Sequence, residues 1–121
     1  LVRLLAARPG EALRAADEAA VLFREAEADA DEASALLLSA DALRVLGEYQ
    51  ESGEAAAEAL ALFRAAGDGQ GQELAQELLD FLEEAQRLMQ RQWMAQQAAL
   101  HLQQWEGMRR LQQRGERGER G

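Results

Sequence analysis

The sequence lacks cysteine, lysine, isoleucine and threonine, and it contains one proline and three valines among its 121 residues. Without cysteine the chain cannot form a disulfide, a thiolate metal site or a cysteine nucleophile. With so few β-branched residues it is poorly suited to a pleated sheet. No apolar run approaches the roughly 20 residues that a membrane-spanning helix needs. These absences argue against disulfide-stabilised, sheet-forming and membrane-spanning proteins.

Alanine, leucine, glutamate, glutamine and arginine make up most of the chain. These residues lose little side-chain freedom in a helix, so the composition predicts an all-α protein. The length corresponds to one domain or to a segment of a longer repeat array.

Charge is distributed unevenly along the chain. Residues 1–86 hold 6 arginines against 19 acidic residues, a net charge of −13, and residues 87–121 hold 7 arginines against 3 acidic residues, a net charge of +4. Nucleic-acid binding depends on cationic neutralisation of phosphates, so the acidic part is a poor candidate for it. A nucleic-acid partner is therefore not expected for the main part of the chain.

An internal repeat is visible at an offset of 40 residues. Leu22-Phe23-Arg24 recurs as Leu62-Phe63-Arg64, and 11 of the 37 pairs between residues 11–47 and 51–87 are identical. Repeats of this length are typical of solenoids built from stacked helix pairs.

Glycine, proline and aspartate divide the chain into segments. Pro9-Gly10 follows a short apolar piece, residues 1–7, and is suited to opening a helix. Asp29 or Asp31 is expected to cap a later helix, and Gly47 to adopt the left-handed conformation at a helix end. The helices predicted on this basis span residues 11–27, 32–46 and 48–66, and a loop is predicted at 67–71.

Residues 72–106 contain neither glycine nor proline and show a heptad pattern of apolar residues. One long helix and a pair of helices with a turn near 87–91 are both compatible with this pattern, and the long helix is favoured. The Arg/Gly/Glu-rich tail, 107–121, is expected to be flexible. The predicted organisation is helical repeats over 1–86, a continuing C-terminal helix over 87–106 that caps the repeats or docks on a partner, and the tail.

One turn carries a family signature. The segment Gly47-Glu48-Tyr49-Gln50-Glu51-Ser52 resembles the inter-helix turn of tetratricopeptide repeats, with small Ala40 and Ala56 at positions where the two helices of a pair approach. The match covers residues 8–86 and is similar to longer variants of about 40 residues per repeat. It departs from the family in having leucine and alanine where aromatic residues are usual.

The resemblance implies a fold and a binding surface. Tetratricopeptide repeats are right-handed stacks of antiparallel helix pairs that bind protein partners on a concave surface formed by the first helix of each pair. Leu37 and Phe81 would there hold an apolar anchor, and Arg44 among carboxylates would recognise charge. By position, this surface would present Ser34, Leu37, Asp41, Arg44, Leu74, Glu77, Phe81 and Glu84.

Two tryptophans, Trp93 and Trp105, lie in the predicted C-terminal helix together with three methionines. Tryptophan, methionine and arginine are enriched at protein interfaces, so these residues are candidates for partner binding. Packing on the preceding helices is the alternative.

Catalytic and metal-binding patterns are weak. His101 is the sole histidine, and a single histidine is more often a surface or packing residue than a catalytic one. The acidic cluster at 25–32 lacks the spacing of a calcium loop, and Gly67–Gly71 lacks the lysine of a phosphate-binding loop. We therefore expect no catalytic, cofactor or metal site, and a protein that is not an enzyme.

Three functions remain compatible with the sequence. The first is a protein–protein interaction module or scaffold that presents a groove and a long C-terminal helix. The second is a permanently docked subunit of a large assembly, and the third is an RNA-contacting accessory protein acting through the arginine tail. The sequence is compatible with a soluble protein in the cytoplasm or an organelle interior, without deciding between these compartments.

Overall fold

The computed structural model describes residues 8–120, with side chains through residue 115. The described residues form four α-helices and contain no strand, which confirms the predicted all-α class. The helices are α1 (Pro9–Glu25), α2 (Asp29–Val45), α3 (Tyr49–Ala66) and α4 (Gly69–Arg120). No helix in the described part of the chain is long and apolar enough to cross a membrane. The apolar piece predicted at residues 1–7 lies outside the described residues.

Three tight turns with the same hydrogen-bond pattern connect the helices. In each turn one residue has positive φ, and these residues are Glu27 (φ 55°), Gly47 (φ 84°) and Gly67 (φ 71°). The N–H of each bonds to the carbonyl three residues back, and the next N–H reaches five residues back, the Schellman arrangement of a helix end. The turns at Glu27, Gly47 and Gly67 are therefore 20 residues apart, and this interval is half of the 40-residue repeat.

The turns confirm some predictions and correct others. Gly47 has the predicted left-handed conformation. The predicted cap by Asp29 or Asp31 is wrong, because α2 begins at Asp29 behind Ala28 and receives no side-chain cap. The predicted loop at 67–71 is shorter, because only Gly67 and Asp68 separate the helices and the Asp68 carboxylate accepts a 3.0 Å hydrogen bond from the Gly71 N–H.

Replacing Glu27 by glycine is expected to raise the free energy of unfolding by about 0.5–1 kcal/mol, because glycine adopts positive φ without a Cβ clash. Replacing Gly47 by alanine at the equivalent turn should lower it by about 1 kcal/mol. Urea denaturation of both variants measures the two changes. A Glu27→Gly variant no more stable than the parent chain would contradict this interpretation.

The core is formed by small residues at the helix contacts. Alanines pack together with Leu36, Leu60 and Phe63, and Leu79 of α4 lies against this cluster. Ser52 is fully buried and its hydroxyl donates a 2.6 Å hydrogen bond to the Ala40 carbonyl, which joins α3 to α2. Small side chains let the backbones approach closely enough for this bond to form.

A polar network joins the first three helices. On α2, Ser39 donates a 2.7 Å hydrogen bond to Asp17 of α1. Arg24 at the end of α1 donates a 2.9 Å hydrogen bond to Glu32, which is 5% exposed, and lies 3.6 Å from Glu58 of α3. The hydrogen bond to Glu32 and that carboxylate's negative charge raise the pKa of Arg24. Part of the acidic cluster at 25–32 is thus used to join helices.

The chain divides into two compact units, Leu1–Glu84 and Ala85–Gly121, and α4 contributes residues to both. Residues 72–106 lie in one helix, as favoured from the sequence, and no turn occurs near residue 87. The helix continues to Arg120, so the predicted helix end at 106 is absent from the structure. Glutamine, arginine and glutamate are good helix formers, and a glycine inside a helix costs only about 1 kcal/mol.

Candidate functional site

A groove in the first unit contains four of the eight residues that the family resemblance placed on the partner-binding surface, Ser34, Leu37, Asp41 and Leu74. It has a volume of about 630 Å³ and runs between α2 and the first part of α4, with Phe63 of α3 at its base. The α2 side carries Leu37 and Asp41. The residues that line it are Ser34, Leu37, Leu38, Asp41, Phe63, Asp68, Gln70, Gly71, Leu74 and Leu78.

Arg44 links the two helices of this groove. Its guanidinium donates hydrogen bonds of 2.9 and 2.7 Å to one Asp41 oxygen, and its Cζ lies 5.4 Å from the centroid of the Phe81 ring. A cation above an aromatic face is attracted by the ring's quadrupole. The carboxylate and the ring therefore orient the Arg44 guanidinium, which stays partly exposed.

The structure brings together four of the predicted site residues in this unit. Leu37 and Asp41 line the groove, and Arg44 and Phe81 are joined by the ring contact. Glu84 is exposed and follows Phe81 by one helical turn, but it does not line the groove. The surface is thus an apolar floor with charged groups at its edge, a combination suited to binding an apolar side chain next to a charged one.

Several lining residues were not predicted. Leu38 and Leu78 are a pair in the 40-residue repeat, so the repeat itself could have identified them. Gly71 is buried, and any Cβ at this position would overlap the Phe63 ring. The role of Gly71 depends on the contact between α3 and α4, and no local sequence pattern predicts that contact.

The second unit is a single helical segment with exposed apolar side chains. Trp93 is 62% exposed and Trp105 is 57% exposed. The Arg109 guanidinium lies 5.5 Å from the centroid of the Trp105 ring. Their predicted role in partner binding is compatible with this exposure.

Groups suited to catalysis are sparse in the described part of the chain. No cluster of three or more histidine, cysteine, aspartate or glutamate side chains there is arranged to hold a metal ion. His101 is exposed and lies beside Leu102 and Trp105 in a shallow depression of the second unit.

Comparison with known proteins assigns no family to this chain. No family model, no curated protein and no solved structure matches the chain.

Proposed function

We propose that this chain is a non-enzymatic interaction module that binds a segment of a protein partner in the groove between α2 and α4. The observation that carries this proposal is the arrangement of Arg44, held by Asp41 and stacked on Phe81, beside an open groove of about 630 Å³. A preorganised charged group costs little further ordering when a ligand binds, which favours affinity.

The chemistry of the groove defines the segment it would bind. Leu37, Leu74 and Leu78 offer apolar contacts, and Asp41 and Asp68 place carboxylates nearby. A partner segment with an apolar anchor would bury that anchor against the leucines. An adjacent carboxylate of the partner would pair with Arg44, and a basic group would pair with Asp68. The resemblance to tetratricopeptide repeats supports the same surface.

Alanine at both Leu37 and Phe81 is expected to weaken binding about tenfold or more, because Leu37 lines the groove and Phe81 orients Arg44 beside it. A peptide selected from a displayed random library against the intact chain serves as the ligand, and fluorescence anisotropy measures its dissociation constant. Phe81 is 51% exposed, so its loss should leave the fold intact.

The matched control is Leu22→Ala on α1, which removes an exposed leucine outside the groove and should not change the affinity. Helix content from circular dichroism confirms that each variant is folded. Equal affinities of the double variant and the parent chain for every selected peptide would contradict the proposal.

A second function, a permanently docked subunit of an assembly, is favoured by the exposed apolar residues of the second unit. The side chains of Leu88, Trp93 and Leu102 are each at least half exposed. Apolar surface of this kind is usually covered by another molecule. A docked subunit expressed alone should aggregate irreversibly, whereas any association of the interaction module should reverse on dilution. Light scattering of the purified chain before and after dilution separates the two.

A further inference from the structure

A second apolar groove lies on the first two helices, next to the proposed binding surface, and Ser34 and Leu38 line both grooves. It runs along α1 and α2 and has a volume of about 660 Å³. Its rim carries Glu11 and Asp31, together with Arg8, whose guanidinium lies 3.4 Å from the Glu11 carboxylate. Its walls include Ala12, Ala16, Ala19, Phe23, Ala35 and Leu38.

The internal repeat indicates which kind of element fits this groove. Forty residues later the same positions are Ser52, Ala56, Ala59, Phe63, Ala75 and Leu78, on α3 and α4. Phe63 is 2% exposed and Ala59 is fully buried, whereas Phe23 and Ala19 are only partly buried. The later set is covered by α2, whose Ala40 carbonyl accepts the Ser52 hydrogen bond. The earlier set therefore has the form of a surface that accepts one α-helix.

Helix α2, which covers the later set, shows which side chains a helix places against a groove of this kind. Its buried residues Ala33, Leu36, Ala40 and Leu43 are spaced three and four apart, with alanine at the close contacts. A helix for the open groove should carry the same spacing of small and medium apolar residues. The apolar face of that helix should also make no other contacts.

The second unit contains a helical face of this type. Ala95, Ala98, Leu102 and Trp105 follow one another at spacings of three, four and three, and all four are exposed. The arginines Arg91 and Arg109 continue the same face at its two ends.

The charges of the two surfaces are opposite. Residues 8–45, which include both helices of the groove, hold 4 arginines against 9 acidic residues. Residues 85–115 hold 5 arginines against one glutamate, Glu106. Opposite charges raise the rate and the selectivity of association, and like charges suppress wrong pairings. Helices from two copies placed side by side would instead repel through their arginines.

We propose that the groove on α1 and α2 binds the C-terminal helical segment, residues 88–109, of a second copy of this chain. The alanine face of that segment enters the groove, and its arginines lie near Glu11 and Asp31 at the rim. This contact makes the chain self-associate through a surface that borders the groove between α2 and α4.

Sedimentation velocity of the full chain over a range of concentrations tests the proposal. Ala15→Arg places a bulky cation on an exposed position of the groove, and Leu102→Glu places a charge on the alanine face of the second unit. Each should raise the dissociation constant for self-association about tenfold or more. Association of the parent chain should also weaken as salt rises.

The control variants introduce the same side chains, arginine and glutamate, outside the proposed contact. Ala57→Arg adds arginine to an exposed alanine on α3, and Gln103→Glu adds the same charge about 100° around the helix from Leu102. Both should associate like the parent chain. Circular dichroism verifies that all four variants retain their helix content.

Mixing the two interface variants gives the sharpest result. The Ala15→Arg chain keeps an intact C-terminal face and the Leu102→Glu chain keeps an intact groove, so an equimolar mixture should restore one contact and form a complex that neither chain forms alone. A parent chain that stays monomeric at every concentration overturns the proposal. It is also overturned by self-association that both variants leave unchanged, or by a mixture without complex.

Discussion

Replacing Phe63 by alanine is expected to lower the free energy of unfolding by about 3–5 kcal/mol, the usual cost of removing a buried phenylalanine. The side chain is 2% exposed and belongs to the core cluster shared by the first unit's helices. Folded domains are commonly stable by only about 5–15 kcal/mol, so this variant would lie close to unfolding. Urea denaturation followed by circular dichroism measures the loss.

Phe23→Ala is the matched control, because Phe23 occupies the equivalent position 40 residues earlier. It is only partly buried, since no helix of the described chain covers it as α2 covers its counterpart. The loss should therefore be clearly smaller than at Phe63. Equal losses at the two positions would mean that the two helix pairs are equally enclosed, contrary to this structure.

Gly71→Ala is expected to destabilise the chain by about 1–3 kcal/mol, although alanine is the better helix former, because overpacking outweighs the gain in propensity. A Cβ at this position would overlap the side-chain ring of Phe63, which is itself enclosed and cannot move away. The backbone of α4 or the ring would have to shift. Thermal and urea denaturation of the variant detect the change.

Gly69→Ala provides the comparison within the same helix turn, because no heavy atom lies within 4 Å of its added Cβ. This change should be neutral or slightly stabilising. In the Phe63→Ala background the penalty of Gly71→Ala should largely disappear, which a double-mutant cycle would show as a coupling energy. A Gly71→Ala chain as stable as the Gly69→Ala chain would contradict the proposed contact.

Much of the fold could be predicted because the signals were local. Pro9, Gly47 and Gly67 lie at or next to helix boundaries of the structure, and the composition alone predicts helices. The 20-residue interval between turns was harder to see, because the first positive-φ residue is Glu27 rather than glycine. The extension of α4 past residue 106 was missed, since glycines spaced along 107–121 suggested a tail although the other residues favour a helix.

The site was predictable where it followed helix periodicity and unpredictable where it depended on contacts between helices. Leu37, Asp41 and Arg44 share one face of α2, and the resemblance to a repeat family placed that face on a groove. The stacking of Arg44 on Phe81 joins residues 37 positions apart. Arg44, Phe81 and Glu84 were placed on the groove by the family resemblance, and all three lie outside its lining in the structure.

The central claim, that a partner segment binds between α2 and α4, is tested most directly by nuclear magnetic resonance. The isotope-labelled chain is titrated with a peptide selected against it, and backbone amide shifts are followed. The largest shifts are expected at Leu37, Arg44 and Leu74, with those of α1 unchanged. Shifts confined to other helices, with these three residues unaffected at saturation, would contradict it.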